Sequence, residues 1–467
     1  MSWLELAEIA EMARGVLYGE NRQIHSVSTD SRTVKSDQLF IALVGEHFDG
    51  HDFVASIENK AAAAFVHRKI DADIPQIFVK DTLESLGIFA AAWRKRFTKP
   101  LIALTGSNGK TTVKEMLAAI FSVKGRVMAT FGNLNNDIGV PLTLLRLRNN
   151  VDYAVIEMGA NHFGEIDYLS RIAQPDIAIL NNAAAAHLEG FGDIKGVSRA
   201  KAEIFNGLNK QGVAIINADD QYADYWFSCN KNRKTVTFGF NDQADIRGEL
   251  TSNGLLIHTS TEKQLIQLTL LGRHNAMNAL AATAAASVVG LDLVTIGQGL
   301  EALQAVKGRL MPIKGIYGAQ IIDDTYNANP TSVRAAIDVL AEIEKSERIL
   351  VLGDMAELGD NAIQLHTDIA MYAKKKGVEN LYCLGNYSLW GCQKFGKNAL
   401  SFHSIDLLVV ALQQKIEQVR KQKGEKQKVT ILVKGSRSMK MERVVFALTY
   451  QHIDNKVNDK KITGENS

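Results

Sequence analysis

The stretch Leu101–Met116, LIALTGSNGKTTVKEM, constrains this chain more than any other. Four of its first five residues are apolar, a Gly-Ser-Asn-Gly-Lys-Thr-Thr segment follows, and a helical run comes after. That order predicts a strand, a phosphate loop and a helix. A helix N-terminus approached through glycines offers free N–H groups and the positive end of a dipole to an anion. Lys110 is placed to reach terminal phosphates and the Thr111 hydroxyl to hold Mg2+. Gly106, Ser107, Asn108, Gly109 and Thr112 complete the loop. The usual spacing is G-x-x-x-x-G-K-[ST], yet the position five before Gly109 is Leu104. Gly106 supplies the missing flexibility two residues later, and Leu104 stays in the strand. The loop implies a nucleoside triphosphate but does not separate switches, motors, kinases and ligases.

At 467 residues the chain is long enough for two to four domains. With 53 basic and 51 acidic residues its net charge is +2, which argues against a nucleic-acid protein relying on a dominant basic surface. Cys229, Cys383 and Cys392 form no CxxC pair, so a reducing compartment is expected, without a disulfide frame or zinc site. The start, MSWLELAEIAEMARG, is acidic where a signal peptide would be basic. The apolar run AMNALAATAAASVVGLDLV carries Asn278 and Asp292 and is expected to be a buried helix, not a membrane span. A cytoplasmic protein is expected from these features.

Three zones are expected, 1–98, 99–312 and 313–455, with a polar tail over 456–467. In the first, QLFIALV, AAAAFVH and PQIFVK read as short strands of a small α/β domain. In the second, LIALT, YAVIE, DIAIL and GVAIIN alternate with helical stretches such as TVKEMLAAIFSV and KAEIFNGL, which predicts a P-loop-type parallel sheet with flanking helices. Pro312 marks its end. In the third, AQIIDD, RILVLG, NLYCLG and VTILVKG restart the alternation as a Rossmann-like doubly wound domain. No G-x-G-x-x-G follows its first strand, so no bound dinucleotide is expected.

Other residues cluster around the loop by this reading. Glu157 ends a strand, and ligands of an open parallel sheet collect at the carboxyl ends of its strands, so Glu157 is placed to join Thr111 around a hard cation. His187 follows the next strand, at the same sheet edge. Lys201 lies on a short helix, where solvent exposure is the ordinary expectation. Asn275 and Asn278 share one side of a helix start and suit an adenine edge, though Asn is also a common helix cap. Arg309 stands just before the zone boundary and Asp323 and Asp324 just after it, where domain closure would bring them together.

Taken with FGNLNNDIGVPLTLL, EMGANHFGEI, AHLEGFG, AKAEIF, GRHNAMNALAA, DDTYNANPTS, GDMAELG and KGSRSMKME, these residues resemble the Mur ligases, the ATP-dependent amide-bond-forming enzymes of peptidoglycan synthesis, over nearly the whole chain. TGSNGKTT is similar to the shortened phosphate loop of that family. The resemblance implies ATP and two Mg2+ ions. Lys110 would contact the phosphates, Thr111 and Glu157 would hold one ion, and His187 would help hold a second with a carbamylated Lys201. Asn275 and Asn278 would bind adenine, Asp324 the ribose, and Arg309 would lie near the γ-phosphate. It further implies UDP-N-acetylmuramoyl-tripeptide and D-alanyl-D-alanine as substrates of a monomeric enzyme, with neither nucleic acid nor membrane as partner. Ser28, Asp30, Ser31 and Arg32, with Gly45, Asp49, Gly50 and His51, would serve the uridine nucleotide. Asn135, Asn136 and Asn327 would contact substrate, and Lys434, Ser436 and Arg437 the dipeptide. Two other readings remain at this point. A folylpolyglutamate synthase shares the shortened loop, although DDTYNANP and GDMAELG speak against it. A nucleotide switch would release ADP without either substrate.

Overall fold

The computed structural model describes residues 4–186, 188–423 and 428–449. His187 and the tail 456–467 lie outside the described residues. Among the described residues the strands form three sheets, one per expected domain, and the three-domain α/β architecture is as expected.

The first sheet holds β1 (Val16–Tyr18), β2 (Ser26–Ser28), β3 (Gln38–Ile41), β4 (Ala63–Val66) and β5 (Gln76–Phe78), in the order β1-β5-β4-β3-β2. Only the edge strand β1 runs antiparallel to its neighbour. The second holds β6 (Leu101–Thr105), β7 (Val127–Ala129), β8 (Tyr153–Glu157), β9 (Ile177–Leu180), β10 (Val213–Asn217), β11 (Lys234–Gly239), β12 (Ile246–Thr251), β13 (Gly254–His258) and β14 (Lys263–Ile266). Its order is β14-β13-β12-β11-β10-β9-β6-β8-β7, parallel from β7 to β12. Strands β6, β9 and β10 are buried along their whole length, because helices cover both faces and leave no place for alternating polar residues. Strand β6 lies between β8 and β9, so the loop that follows it opens where the chain departs to either side. In an open parallel sheet this is the ligand crevice. The alanine-rich helix Arg273–Val289 is buried against one face together with Lys110–Ser122. Among the described residues no helix is long and apolar enough to cross a membrane.

The third sheet holds β15 (Met311–Lys314), β16 (Gln320–Asp324), β17 (Ser346–Gly353), β18 (Asn380–Leu384), β19 (Ala399–Phe402) and β20 (Lys428–Lys434), in the order β15-β16-β20-β17-β18-β19. Separate apolar clusters fill its two faces. The expected boundary at 312 falls inside β15, which pairs antiparallel with β16. Pro312 reads as a breaker in sequence, but an edge strand tolerates it because one row of its N–H groups has no ladder partner. The join therefore lies upstream, in the segment before Arg309. A second difference concerns KAEIFNGL. The helix Ile194–Ala202 ends there, and Glu203–Gly207 tightens into a 3-10 turn. Gly207 sits so close to the Ser170 backbone that no side chain fits. Glu203 accepts hydrogen bonds from Gly164 N (2.9 Å) and Asp167 N (3.2 Å), closing the start of the helix Glu165–Ala173.

The two joints differ in kind. One continuous apolar core runs from Leu39, Phe65 and Trp93 of the first domain into Leu101, Ile156 and Leu180 of the second. Arg94, buried in that joint, donates to the carbonyls of Ala173 (2.8 Å) and Gln174 (3.1 Å) and to Asp176 (3.3 Å). Arg94→Ala strands these acceptors and is expected to lower stability by about 3 kcal/mol, read as a fall in the unfolding midpoint. The third domain keeps its own cores and meets the second largely through polar groups, among them the hydrogen bond from Asn329 Nδ2 to Asn108 Oδ1 (2.8 Å).

Candidate active site

The segment after β6 adopts a tight loop at the start of the helix Lys110–Ser122. It is pinned by the residues that follow β9. Ser107 N donates to Asn182 O (3.0 Å), Asn108 N to Asn182 Oδ1 (2.9 Å), and Asn181 Nδ2 to Asn108 O (3.0 Å). Gly109 has φ +79°, and a Cβ there would collide with the Asn278 carboxamide. Gly109→Ala is therefore expected to weaken ADP binding by about tenfold or more, measured by calorimetry, through backbone strain and displacement of Asn278. Lys110 curls back so that Nζ donates to Gly106 O (2.8 Å). Burial pushes its ammonium below the usual lysine range, and Glu157 opposes that shift.

Glu157, at the end of β8, is 2% exposed. Its Oε1 accepts from Asn135 Nδ2 (2.8 Å), while its Oε2 is buried and has no partner among the described residues. A buried carboxylate oxygen without a donor is costly unless something cationic meets it. It faces the same cleft as Thr111, whose Oγ1 lies 3.4 Å from Arg309 Nη2. Among the described residues no three His, Cys, Asp or Glu side chains converge as a metal cage. One carboxylate and one hydroxyl nonetheless suit Mg2+, which takes most of its ligands from phosphates and water.

Lys201 is fully buried, contrary to the ordinary expectation for a helix lysine. Its Nζ lies 3.4 Å from Ala160 O and 5.5 Å from the centre of the Phe191 ring. Burial first, and the charge of Lys110 second, push its ammonium down to about 7, with Glu165 and Glu203 opposing. Ala160 itself lines the cleft, so Lys201 sits just behind its wall.

The opposite wall comes from the third domain. Arg309 stacks over Tyr326 at 4.0 Å, with Asn327, Ser436 and Arg437 beside it. Asn135 and Asn136 line the same cleft from the second domain. An adjoining chamber contains Gly109, Thr112, Asn275, Asn278, Arg309 and Asp324. Asn278 Oδ1 accepts from Asn181 Nδ2 (2.9 Å), and its Nδ2 donates to Asn275 Oδ1 (3.2 Å), so the two amides hold one another.

Lys434 is buried in an ion pair with Asp324 (2.6 Å) and donates to Asn327 O (2.9 Å); it lines the chamber with the adenine and ribose candidates, while Asn327, Ser436 and Arg437 line the cleft. Parallel pairing of β16 with β20 sets Asp324 opposite Lys434, a register that local sequence does not carry. The first-domain residues do not join the cleft. Asp30 and Arg32 form an exposed bidentate pair (2.8 Å) beside Ser28 and Ser31. His51 is buried between Asp49 (2.6 Å) and His67 N (3.0 Å), and Gly50 packs against Leu43, with Gly45 at the neighbouring turn. None of the eight lines either cavity. Sequence reasoning missed Asn181, Asn182 and Tyr326. The Asn-Asn pair at the end of a buried strand, in DIAILNN, was the available signal for the first two.

A phosphate loop at the crevice of a parallel sheet, faced by a second α/β domain, defines a nucleotide-dependent enzyme of the Mur ligase type, and the chain belongs to the Mur ligase family. Three family descriptions match it in succession: Mur ligase family, catalytic domain, over residues 23–121; Mur ligase middle domain, over 104–286; and Mur ligase, glutamate ligase domain, over 308–437. It is 44% identical over 452 residues to the UDP-N-acetylmuramoyl-tripeptide–D-alanyl-D-alanine ligase of Escherichia coli, covering 95% of this chain and 98% of that one. A crystal structure of MurF from Acinetobacter baumannii superposes with a TM-score of 0.89 at 36% identity, over 96% of this chain and 99% of that one. MurF ligase from Thermotoga maritima in complex with ADP gives 0.78 at 25% identity, over 91% and 96%.

Proposed function

We propose that this chain is an ATP-dependent ligase that joins D-alanyl-D-alanine to the tripeptide of UDP-N-acetylmuramoyl-tripeptide through an acyl phosphate, in the cytoplasm and as a monomer. The observation that carries the reading is the single cleft in which Lys110, Thr111 and Glu157 of the second domain face Arg309, Asn327, Ser436 and Arg437 of the third. The relatives named for this reaction match the chain almost end to end.

A carboxylate acylates poorly because its leaving group would be oxide. Transfer of the ATP γ-phosphoryl group to the tripeptide carboxylate makes an acyl phosphate and releases ADP. The dipeptide amine then attacks the carbonyl, loses a proton and expels phosphate. Two anions must meet in the first step, so the site's task is charge stabilisation and positioning. Lys110 and Arg309 supply positive charge from opposite walls. Asn275, Asn278 and Asp324 would seat the nucleoside, and Ser436, Arg437 and Asn327 would orient the dipeptide. Thr111 and the free oxygen of Glu157 would hold one Mg2+, and His187 with a carbamate on Lys201 a second; the charge such ions supply screens phosphates approaching a carboxylate. Acyl phosphates hydrolyse in water, and a polar joint to the third domain suits closure before chemistry.

The reading is tested by following ADP release. Turnover is expected only with the muramyl tripeptide and D-alanyl-D-alanine both present. Sustained release with neither would point to a nucleotide switch instead.

A further inference from the structure

We propose that Asn135 is a positioning residue for the divalent cation, fixing which oxygen of Glu157 the cation meets, and that Lys114 anchors the loop that carries it. The inference rests on reading Glu157 as a metal ligand.

The loop 130–136 is fastened to the end of β8 at several points. Its first residue, Thr130, extends the pairing of β7 with β8 through Thr130 N to Val155 O (3.0 Å), and its Oγ1 accepts from Glu157 N (2.9 Å). The Thr130 carbonyl accepts from Lys114 Nζ (2.9 Å). Lys114 is 3% exposed on the helix that begins with the phosphate loop, and its only carboxylate contact among the described residues is its neighbour Glu115 (2.8 Å). A lysine buried this deeply, directed at a backbone carbonyl, ties the loop to the phosphate-binding helix. Farther along, Asn135 O accepts from Gly159 N (2.8 Å), and a Cβ on Gly159 would press on the Asn135 carboxamide at 3.0 Å. Main chain and side chain of Asn135 are thus both held, with Nδ2 on Glu157 Oε1 (2.8 Å).

The chemistry favours an amide at this place. A lysine or arginine would neutralise Glu157 and compete with a cation, and a carboxylate would repel it. A neutral N–H donor occupies one oxygen, locks the rotamer and leaves the charge on the other. That other oxygen, Oε2, is the buried one with no partner among the described residues. Asn135, expected from the sequence to contact substrate, therefore acts through Glu157.

The test is Mn2+ binding in the presence of ADP, followed by the electron-spin-resonance signal of free Mn2+ in wild type, Glu157→Gln, Asn135→Ala, Asn135→Leu and Lys114→Met, each also checked for its unfolding midpoint. Both Asn135 variants are expected to bind Mn2+ about tenfold more weakly than wild type, with Lys114→Met shifted the same way and Glu157→Gln weakest. Wild-type Mn2+ affinity in the Asn135 variants would overturn the proposal; with it, a raised KM for the muramyl substrate would return Asn135 to a substrate contact. Wild-type affinity in Glu157→Gln would instead remove the metal reading beneath it.

Discussion

Lys110→Ala is expected to reduce ADP release at saturating substrates by on the order of a thousandfold, the scale on which removal of one preorganised charge donor acts in a water-poor site. The loss should be confined to chemistry and nucleotide binding. Among the described residues the Lys110 ammonium donates to the Gly106 carbonyl alone, and burial already disfavours its charge, so the substitution removes little that stabilises the fold. An unfolding midpoint close to wild type with turnover nearly abolished is the expected pair of results. Turnover within tenfold of wild type would take the phosphate role away from Lys110.

Lys201 should produce an effect as large, with an opposite signature on stability. Lys201→Ala is expected to lose activity to a similar extent and to regain part of it with added formate or acetate, as a free carboxylate enters the position a carbamate would fill. Full activity in Lys201→Ala would exclude the carbamate. The unmodified amine also makes a pH prediction. Its ammonium is pushed from the ordinary 10.5 down to about 7, so the folded chain binds fewer protons than the unfolded chain between those values. Stability therefore rises with pH across that window; the penalty is complete below about pH 7 and fades as pH rises through the ordinary lysine value. In bicarbonate-free buffer Lys201→Met should exceed wild type in stability by on the order of 4 kcal/mol near neutral or lower pH, with the difference shrinking as the solution becomes alkaline. A difference that grows with pH would contradict the buried-amine account.

Local pattern carried the strands and the loop. LIALT, YAVIE, DIAIL and GVAIIN are buried parallel strands because their apolar runs are continuous, and Gly109-Lys110-Thr111 stands at a strand-to-helix junction where its chemistry is readable without tertiary knowledge. What depends on non-local register was not readable. The pairing of Asp324 with Lys434 joins strands 110 residues apart, so nothing in the local sequence signals that this lysine, named only through the family resemblance, is held by a carboxylate. Lys201 looked like a surface lysine because its helix gives no hint that Phe191 and Ala160 cover it. Residue types alone would not have nominated it; only the family resemblance did. Pro312 hid β15, since a breaker and an edge-strand proline are the same letter. The continuous core beneath Trp93 and Arg94 was also invisible, because zones drawn from composition carry no information about which joint is apolar and which polar.

The central claim is that the cleft between the second and third domains phosphorylates a carboxylate before the amide forms. Labelling the terminal carboxylate of the muramyl tripeptide with heavy oxygen tests it most directly. If the acyl phosphate forms, one labelled oxygen passes from the carboxylate to the inorganic phosphate released in each turnover. Phosphate free of label, with the heavy oxygen lost to water or retained in the peptide, would contradict the account.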